Sequence, residues 1–268
     1  MTRWLRAVGM LALVFSFAAC SDDSDPAADD GDAQSVAEAP PAEAEPAGDP
    51  PDAPAVDDSE PAGGAVNPLM NPADPAMNEM APASFRVRLT TTKGEVVLEL
   101  HRAWAPNGVD RVYNLVRAGF YDGVRFFRVL DGFMAQFGIN GDPAIQGRWR
   151  NAHIVDDPVV EGNAPGRLTF AKSNAPNSRS TQLFINYRNN SNLDAMGFAA
   201  IGEVVEGMDV VENLYSGYGE GGAAGSGATG PDQAAIQRRG NEYLAADFPE
   251  LDYIEKAEIV DDKGEVVN

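Results

Sequence analysis

The sequence contains very little of the material from which disulfide frameworks and metal sites are built. One cysteine, Cys20, and two histidines, His101 and His153, occur in 268 residues. A single cysteine excludes an intrachain disulfide and any cysteine-rich metal site. Two histidines leave little for a zinc site or a histidine-dependent catalytic triad, so we expect no metal.

Positive charge is scarce as well. The chain carries 20 Lys and Arg against 41 Asp and Glu, a formal net charge of -21. A chain this acidic has no electrostatic footprint for a phosphate backbone, which argues against general nucleic-acid binding. Most of the acidity lies in residues 21–83, which hold 16 acidic residues, 12 of the 19 prolines, and no basic or aromatic residue.

Residues 20–83 are therefore predicted to form a disordered, extended linker. With few bulky apolar side chains and charge of one sign, such a segment does not bury enough surface to offset its ordering entropy. A spacer is the simpler function for it, and an acidic partner-binding tail is the alternative. Residues 84–268 are long enough for one domain with a substantial core.

The first residues have the pattern of an export signal. Arg3 and Arg6 precede an apolar run over residues 7–19, which spans about 20 Å as a helix and falls short of the bilayer core of about 30 Å. This predicts a signal peptide over residues 1–19.

The end of that run resembles the lipobox of bacterial lipoproteins. It reads Phe17-Ala18-Ala19-Cys20, with Phe17 in place of the usual leucine. The resemblance implies lipidation of Cys20 and membrane anchoring through the lipid. Ser21 after the cysteine favours the outer membrane, with the domain in the periplasm. An ordinary signal peptide cleaved near a cysteine is the alternative.

The remainder shows the pattern of many short strands. Phe85, Val87 and Leu89 alternate with polar residues, Gly94 permits a turn, and residues 96–100 alternate again, which predicts a hairpin. A helix is predicted from Pro106 to Gly119. Further strands are predicted over 125–129, 167–171, 182–186, 198–205 and 253–260, and a short helix over 208–215. This content suggests an antiparallel β-barrel, although pattern alone does not separate a barrel from a sandwich.

Residues 217–222 match the string G-x-G-x-x-G. In nucleotide-binding proteins this string follows a strand and opens a helix. Here a predicted helix precedes it, a Gly- and Ala-rich stretch follows it, and Glu220 would repel a phosphate. We therefore predict a flexible loop.

The chemistry is concentrated in two segments. In the first, Arg128 and Gln136 flank an apolar pair, Phe133 and Met134; residues 182–186 then add a second amide and another aromatic ring. Taken alone, this pattern also fits two core strands with a surface arginine.

At these segments the sequence resembles the cyclophilin family of peptidyl-prolyl isomerases. The matching strings are Phe127-Arg128-Val129, Gly132-Phe133-Met134-Ala135-Gln136, Ala175-Pro176-Asn177-Ser178, Gln182-Leu183-Phe184-Ile185, Leu193-Asp194 and Gly202-Glu203-Val204-Val205-Glu206-Gly207-Met208. The resemblance implies a mainly β fold over residues 84–268, a closed eight-stranded antiparallel β-barrel capped by two α-helices. It also implies isomerisation of X–Pro bonds with no cofactor, because no covalent bond changes.

The resemblance assigns roles to individual residues. Arg128 would be catalytic by stabilising the twisted prolyl amide, and Gln136 would orient it or hold a substrate carbonyl. The expected substrate-binding residues are Phe133, Met134, Ala171, Lys172, Gln182, Phe184, Leu193 and Phe198.

Some residues depart from the family pattern. Asn192 and Phe198 stand where cyclosporin-sensitive eukaryotic members have tryptophan and histidine, which predicts weak binding of that drug. Phe127 replaces the usual histidine beside the arginine and suits the core. The turn at 137–143 is longer than usual.

The leading hypothesis is a lipid-anchored, monomeric peptidyl-prolyl isomerase in the periplasm, acting on proline-containing polypeptides among exported proteins. A non-catalytic chaperone or scaffold using the same groove is the alternative. An adhesin or immune-modulating lipoprotein is a third possibility that rests only on the anchor and the linker.

Overall fold

The computed structural model describes residues 67–222 and 227–267. The predicted signal peptide, Cys20 and linker residues 20–66 lie outside them. Eight strands make up most of the regular structure. They are β1 (Ser84–Thr91), β2 (Gly94–His101), β3 (Arg128–Leu130), β4 (Met134–Phe137), β5 (Arg167–Phe170), β6 (Leu183–Asn186), β7 (Ala200–Glu206) and β8 (Ile254–Val260).

All eight strands belong to one antiparallel sheet with the order β3-β4-β6-β5-β7-β2-β1-β8. The chain segments that lead into the two edge strands also contact each other, through a bridge between Arg125 and Tyr253. The backbone N–H of Phe126 donates to Asp252 over 2.9 Å beside it. The sheet therefore curls back on itself, and the prediction of a mainly β, eight-stranded antiparallel fold is confirmed.

The first two strands form the predicted hairpin. Leu89 pairs with Val96, and Thr91 pairs with Gly94 at the turn. Gly94 has φ +137°, a conformation that favours glycine. Inward side chains of both strands join the central core, as the alternating pattern predicts.

Four α-helices are present among the described residues: α1 (Pro106–Arg117), α2 (Pro143–Trp149), α3 (Met208–Glu212) and α4 (Gln233–Asp247). The sequence predicted α1 and α3 but neither α2 nor α4. No helix within 67–222 or 227–267 is long and apolar enough to cross a bilayer.

The two additional helices pack together beside the barrel. Asp142 caps the start of α2 by accepting from the N–H of Ala144. Helix α4 is interrupted at Gly240, whose φ is +58° and where a Cβ would lie only 2.0 Å from the carbonyl oxygen of Gly141. This interruption breaks the helical periodicity of α4, which explains why the sequence pattern did not indicate it.

Residues 67–83 belong to the folded domain, which corrects the predicted boundary at residue 83. Two 3₁₀ helices, Pro68–Met70 and Pro75–Met77, lie here, and Leu69 and Met77 are buried in the central core. The indole N–H of Trp149 donates to the carbonyl oxygen of Leu69 over 2.7 Å. Composition alone placed the start of the domain too late in the chain, because two buried apolar side chains are enough to hold this proline-rich segment against the core.

Candidate active site

The two faces of strands β3, β4 and β6 carry different groups of side chains. Val129, Ala135 and Ile185 point into the central core, whereas Met134 and Phe184 form a separate apolar cluster. This division follows from the period of two in a strand, by which neighbours point to opposite faces. The candidate site lies on the face directed away from the central core.

Arg128 and Gln136 are directly opposite each other on β3 and β4. Direct cross-strand partners have their side chains on the same face, within reach of each other. Here Nη1 of Arg128 donates to Oε1 of Gln136 over 3.0 Å. Both side chains are largely buried, since Arg128 is 7% and Gln136 is 6% exposed.

Gln182 continues this polar row beyond Gln136. Nε2 of Gln136 donates to Oε1 of Gln182 over 2.9 Å, so the Gln136 amide is held at both ends. The backbone carbonyl of Gln182 accepts from the N–H of Ala171 over 2.9 Å, which carries the β5–β6 pairing beyond the strand end. Gln136 thus helps to orient the guanidinium, and Gln182, directly before β6, holds Gln136 in turn.

A cluster of apolar side chains, called the pocket below, lies beside the polar row. Its buried members are Met134, Phe184 and Leu193, and Leu130, Phe133, Ala171 and Phe198 pack against them. The Phe184 and Phe198 rings meet edge to face with centroids 6.1 Å apart. The guanidinium carbon of Arg128 lies 5.9 Å from the ring centroid of Phe133, so the cation and the pocket share one wall.

The structure brings together every predicted site residue that it describes. Arg128, Gln136 and Gln182 form the polar row, and Phe133, Met134, Ala171, Phe184, Leu193 and Phe198 form the pocket. Lys172 lies at the edge, with Nζ 5.5 Å from the Phe198 ring centroid. Cys20 lies outside the described residues.

Asparagine side chains hydrogen-bond to the backbone beside the pocket. Sequence reasoning did not single them out. Nδ2 of Asn163 donates to the Asp194 carboxylate over 2.7 Å and to the carbonyl of Phe198 over 2.8 Å. Nδ2 of Asn190 donates to the carbonyl of Phe133 over 3.1 Å. These bonds hold the backbone carbonyls of Phe133 and Phe198, the two residues whose rings flank the cluster.

Tyr187 adds a further support behind Phe133. Its backbone N–H donates to the carbonyl of Phe133 over 2.9 Å, and its hydroxyl donates to the carbonyl of Val211 over 2.8 Å. Burial raises the pKa of the Tyr187 phenol, and the charges of Asp131 and Glu212 raise it further. Tyr187 is therefore neutral and acts as a hydrogen-bond donor over the ordinary pH range.

Glu220 contacts the guanidinium from the side opposite Gln136. Its carboxylate accepts from Nε of Arg128 over 2.5 Å and from Nη2 over 2.7 Å. The sequence placed Glu220 in a loop with no role in the site. Nothing in the local pattern indicates this contact, because 92 residues separate the two side chains.

The arrangement suits non-covalent chemistry on a peptide. A buried guanidinium offers several N–H donors beside a cluster of apolar side chains that includes the rings of Phe133, Phe184 and Phe198. Such donors stabilise a developing lone pair or a carbonyl oxygen more strongly in a dry site than in water.

Several known proteins are similar in sequence to this chain. A family model described as "Cyclophilin type peptidyl-prolyl cis-trans isomerase/CLD" matches residues 86–232. Peptidyl-prolyl cis-trans isomerase cyp18 of Streptomyces antibioticus is 36% identical over 138 residues, which are 48% of this chain and 81% of that relative. Peptidyl-prolyl cis-trans isomerase B of Escherichia coli is 32% identical over 137 residues, 48% of this chain and 82% of that relative.

Solved structures of similar proteins were also found. A cyclophilin-type isomerase of Cryptosporidium parvum aligns with a TM-score of 0.49 at 19% identity, over 67% of this chain and 99% of that chain. The cyclophilin AquaCyp293 of Hirschia baltica aligns with a TM-score of 0.48 at 22% identity, over 71% of this chain and 79% of that chain.

Proposed function

Because the chain belongs to the cyclophilin family of peptidyl-prolyl cis-trans isomerases, we propose that it isomerises X–Pro bonds at Arg128 and the adjoining pocket. The family establishes the isomerase activity. The proposal concerns the residues that carry the activity and the polypeptides on which it acts.

The reaction requires stabilisation of a twisted amide. Rotation about an X–Pro bond meets a barrier of roughly 18–20 kcal/mol because the planar amide is stabilised by resonance. In the twisted state the prolyl nitrogen regains a lone pair, which can accept a hydrogen bond. The enzyme accelerates rotation by binding this state better than the planar one.

Arg128 is the group that we assign to this role. Its guanidinium donates to the prolyl nitrogen and steadies the neighbouring carbonyl, while the side chains of Met134, Phe184 and Leu193 hold the ring. Bringing a reaction of tens of seconds to milliseconds requires about four decades of rate, or about 5.5 kcal/mol. A few charge-assisted hydrogen bonds in a dry site supply that amount.

One observation carries the proposal: the row from Arg128 through Gln136 to Gln182 lies next to the apolar pocket. A core arginine with a purely structural role has no need of a neighbouring pocket. Gln136 has the position expected of a group that orients the guanidinium, and Gln182 steadies Gln136.

We further propose that the substrates are exported proteins and that the enzyme is anchored by lipid. This part rests on the sequence: the charged and apolar segment before Cys20, the lipobox-like string, and the acidic linker that follows. A spacer beside a lipidated cysteine holds the domain away from a bilayer, and anionic lipids repel the linker. The outer membrane, with the domain in the periplasm, is the expected location.

Nuclear magnetic resonance exchange spectroscopy on a proline peptide tests the catalytic part. Catalytic amounts of the protein should produce exchange between the cis and trans signals of the peptide. Peptide signals that broaden or shift at stoichiometric protein, without any cis–trans exchange, would instead favour a chaperone or scaffold that binds without catalysis.

Cell fractionation tests the anchor. The wild-type protein should partition with membranes, and Cys20→Ser should release it to the soluble fraction. A Cys20→Ser protein that still fractionates with membranes would refute lipidation while leaving the isomerase assignment intact.

A further inference from the structure

The carboxylate of Glu220 occupies one edge of the guanidinium that the proposed mechanism requires. Nε and Nη2 of Arg128 both donate to it, at 2.5 and 2.7 Å, in a two-point contact. Nη1 of the guanidinium donates to Gln136 over 3.0 Å and also lies 4.0 Å from the sulfur of Met134. Two-point arginine–carboxylate contacts are among the strongest charge-assisted hydrogen bonds in proteins.

Several contacts anchor the backbone around Glu220, within the segment that the sequence predicted to be a flexible loop. Its carbonyl accepts from the N–H of Gly230 over 2.9 Å, and a Cβ at Gly230 would lie 2.8 Å from that carbonyl oxygen. Two residues earlier, the carbonyl of Tyr218 accepts from the hydroxyl of Thr229 over 2.7 Å. The Tyr218 ring packs against Phe248 with centroids 5.0 Å apart.

The two partners of the ion pair differ in exposure. The side chain of Arg128 is 8% exposed, whereas that of Glu220 is 50% exposed. With its backbone anchored and its side chain half in solvent, Glu220 can leave Arg128 by rotation about its own side-chain bonds. The carboxylate then stays close to the site, because the backbone of Glu220 remains anchored through its carbonyl.

From these contacts we propose that Glu220 is a displaceable cap on Arg128 that favours substrates with a positively charged side chain beside the proline. This inference rests on the proposed role of Arg128. A prolyl peptide that binds through Nε or Nη2 of Arg128 competes with the carboxylate for these donors, so its binding breaks the two-point contact. A cationic side chain offers the released carboxylate a new partner, and an acidic side chain repels it.

Glu220 would therefore be a specificity-determining residue. For a substrate without charge near the proline, nothing offsets the free energy lost when the Arg128–Glu220 ion pair separates. A substrate with Lys or Arg forms a new contact with Glu220 that offsets part of this loss. Because one partner is half exposed, the expected discrimination is modest, about 3- to 10-fold in kcat/KM between otherwise identical peptides.

The test compares Glu220→Gln with the wild type on matched peptides. The peptides carry Lys, Ala or Glu at positions flanking one X–Pro bond, and kcat/KM is measured for each. The wild type should turn over the Lys peptide about 3- to 10-fold faster than the Ala peptide and the Glu peptide more slowly still. Glu220→Gln should raise kcat/KM on the Ala peptide by a similar factor and abolish the preference for Lys.

Glu265→Gln is the matched control. It removes the same charge at an exposed residue near the C-terminus, so it should leave both the rate and the peptide preference at wild-type values.

Salt provides a second comparison: raising ionic strength should increase turnover of the Ala peptide by the wild type and have little effect on Glu220→Gln.

The results separate this inference from the proposed function. An active wild type in which Glu220→Gln leaves rate and preference unchanged would overturn the cap and leave the isomerase intact. A loss of kcat in Glu220→Gln would also overturn the cap, because such a loss would show that Glu220 positions Arg128 for catalysis. If the wild type fails to catalyse, dissociation constants of the same three peptides decide: equal affinities in both proteins would refute the cap.

Discussion

Gln136 accepts a 3.0 Å hydrogen bond from Nη1 of Arg128, its direct cross-strand partner. The same amide donates through Nε2 to Gln182 over 2.9 Å, so it has only one orientation that satisfies both bonds. Gln136 thus orients the guanidinium from one side, and Glu220 contacts it at Nε and Nη2.

Replacing Gln136 with Ala should lower kcat/KM by about 10-fold, because the guanidinium loses its orienting acceptor and must be fixed at the transition state. The loss should fall mainly on kcat, measured in a protease-coupled proline-peptide assay. Gln182→Ala, which removes only the second bond of the Gln136 amide, should have a smaller effect. An unchanged kcat in a folded Gln136→Ala protein would show that the bond is merely structural.

The buried ion pair between Asp157 and Arg179 should contribute strongly to stability. The Asp157 carboxylate lies 3.1 Å from Nη2 of Arg179 and also accepts from the backbone N–H groups of Asn107 and Gly108 at the start of α1. Asp157→Ala would remove one of the two carboxylates beside the buried Arg179, whose Nε keeps Asp156 at 3.2 Å, and would leave two N–H groups uncapped, so the free energy of unfolding should fall by about 2–4 kcal/mol.

The exposed pair between Arg239 and Asp247 is the control for that measurement, since both side chains are about half exposed. Asp247→Ala should change the free energy of unfolding in denaturant by less than about 1 kcal/mol. Equal effects of the two substitutions would contradict the buried role of Asp157.

Residues 67–83 should be needed for full stability of the domain. Removing them exposes the contacts of Leu69 and Met77 and should lower the free energy of unfolding by about 3–6 kcal/mol relative to a chain that begins at residue 67. Trp149→Phe, which removes the hydrogen bond to Leu69, should lower it by about 1–3 kcal/mol. Two truncated chains of equal stability would restore the domain boundary at residue 84.

Alkaline pH should destabilise the fold through Tyr121. Its hydroxyl is buried and donates to the carbonyl of Thr181 over 3.1 Å, and this burial raises the pKa of the phenol. The unfolded phenol ionises near pH 10, so its contribution is complete below that pH and declines above it, by up to about 1.4 kcal/mol per pH unit. Tyr121→Phe should make the decline between pH 10 and 11 shallower; an identical slope would contradict this.

Much of the fold was predictable because the strands are short, alternating and separated by turns. The hairpin of β1 and β2 follows from period-two alternation and a glycine at the turn. Helix α4 was not predictable in this way, because Gly240 has non-helical backbone angles and interrupts the period of the apolar residues. The burial of Leu69 and Met77 was also missed, because it depends on core residues that are distant in the sequence.

The site was predictable as far as local motifs extend. Most residues of the polar row and the pocket come from strings that resemble one family, and the structure brings them together. Glu220 lies outside those strings, and its contact with Arg128 depends on the path of a loop that sequence pattern does not determine.

The most direct test of the account is the turnover of Arg128→Ala in a protease-coupled proline-peptide assay, with Arg148→Ala, an exposed arginine on α2, as the charge-matched control. The account predicts a fall in kcat/KM of about 100-fold or more for Arg128→Ala in a folded protein, and wild-type turnover for Arg148→Ala. Wild-type turnover by a folded Arg128→Ala protein would contradict it.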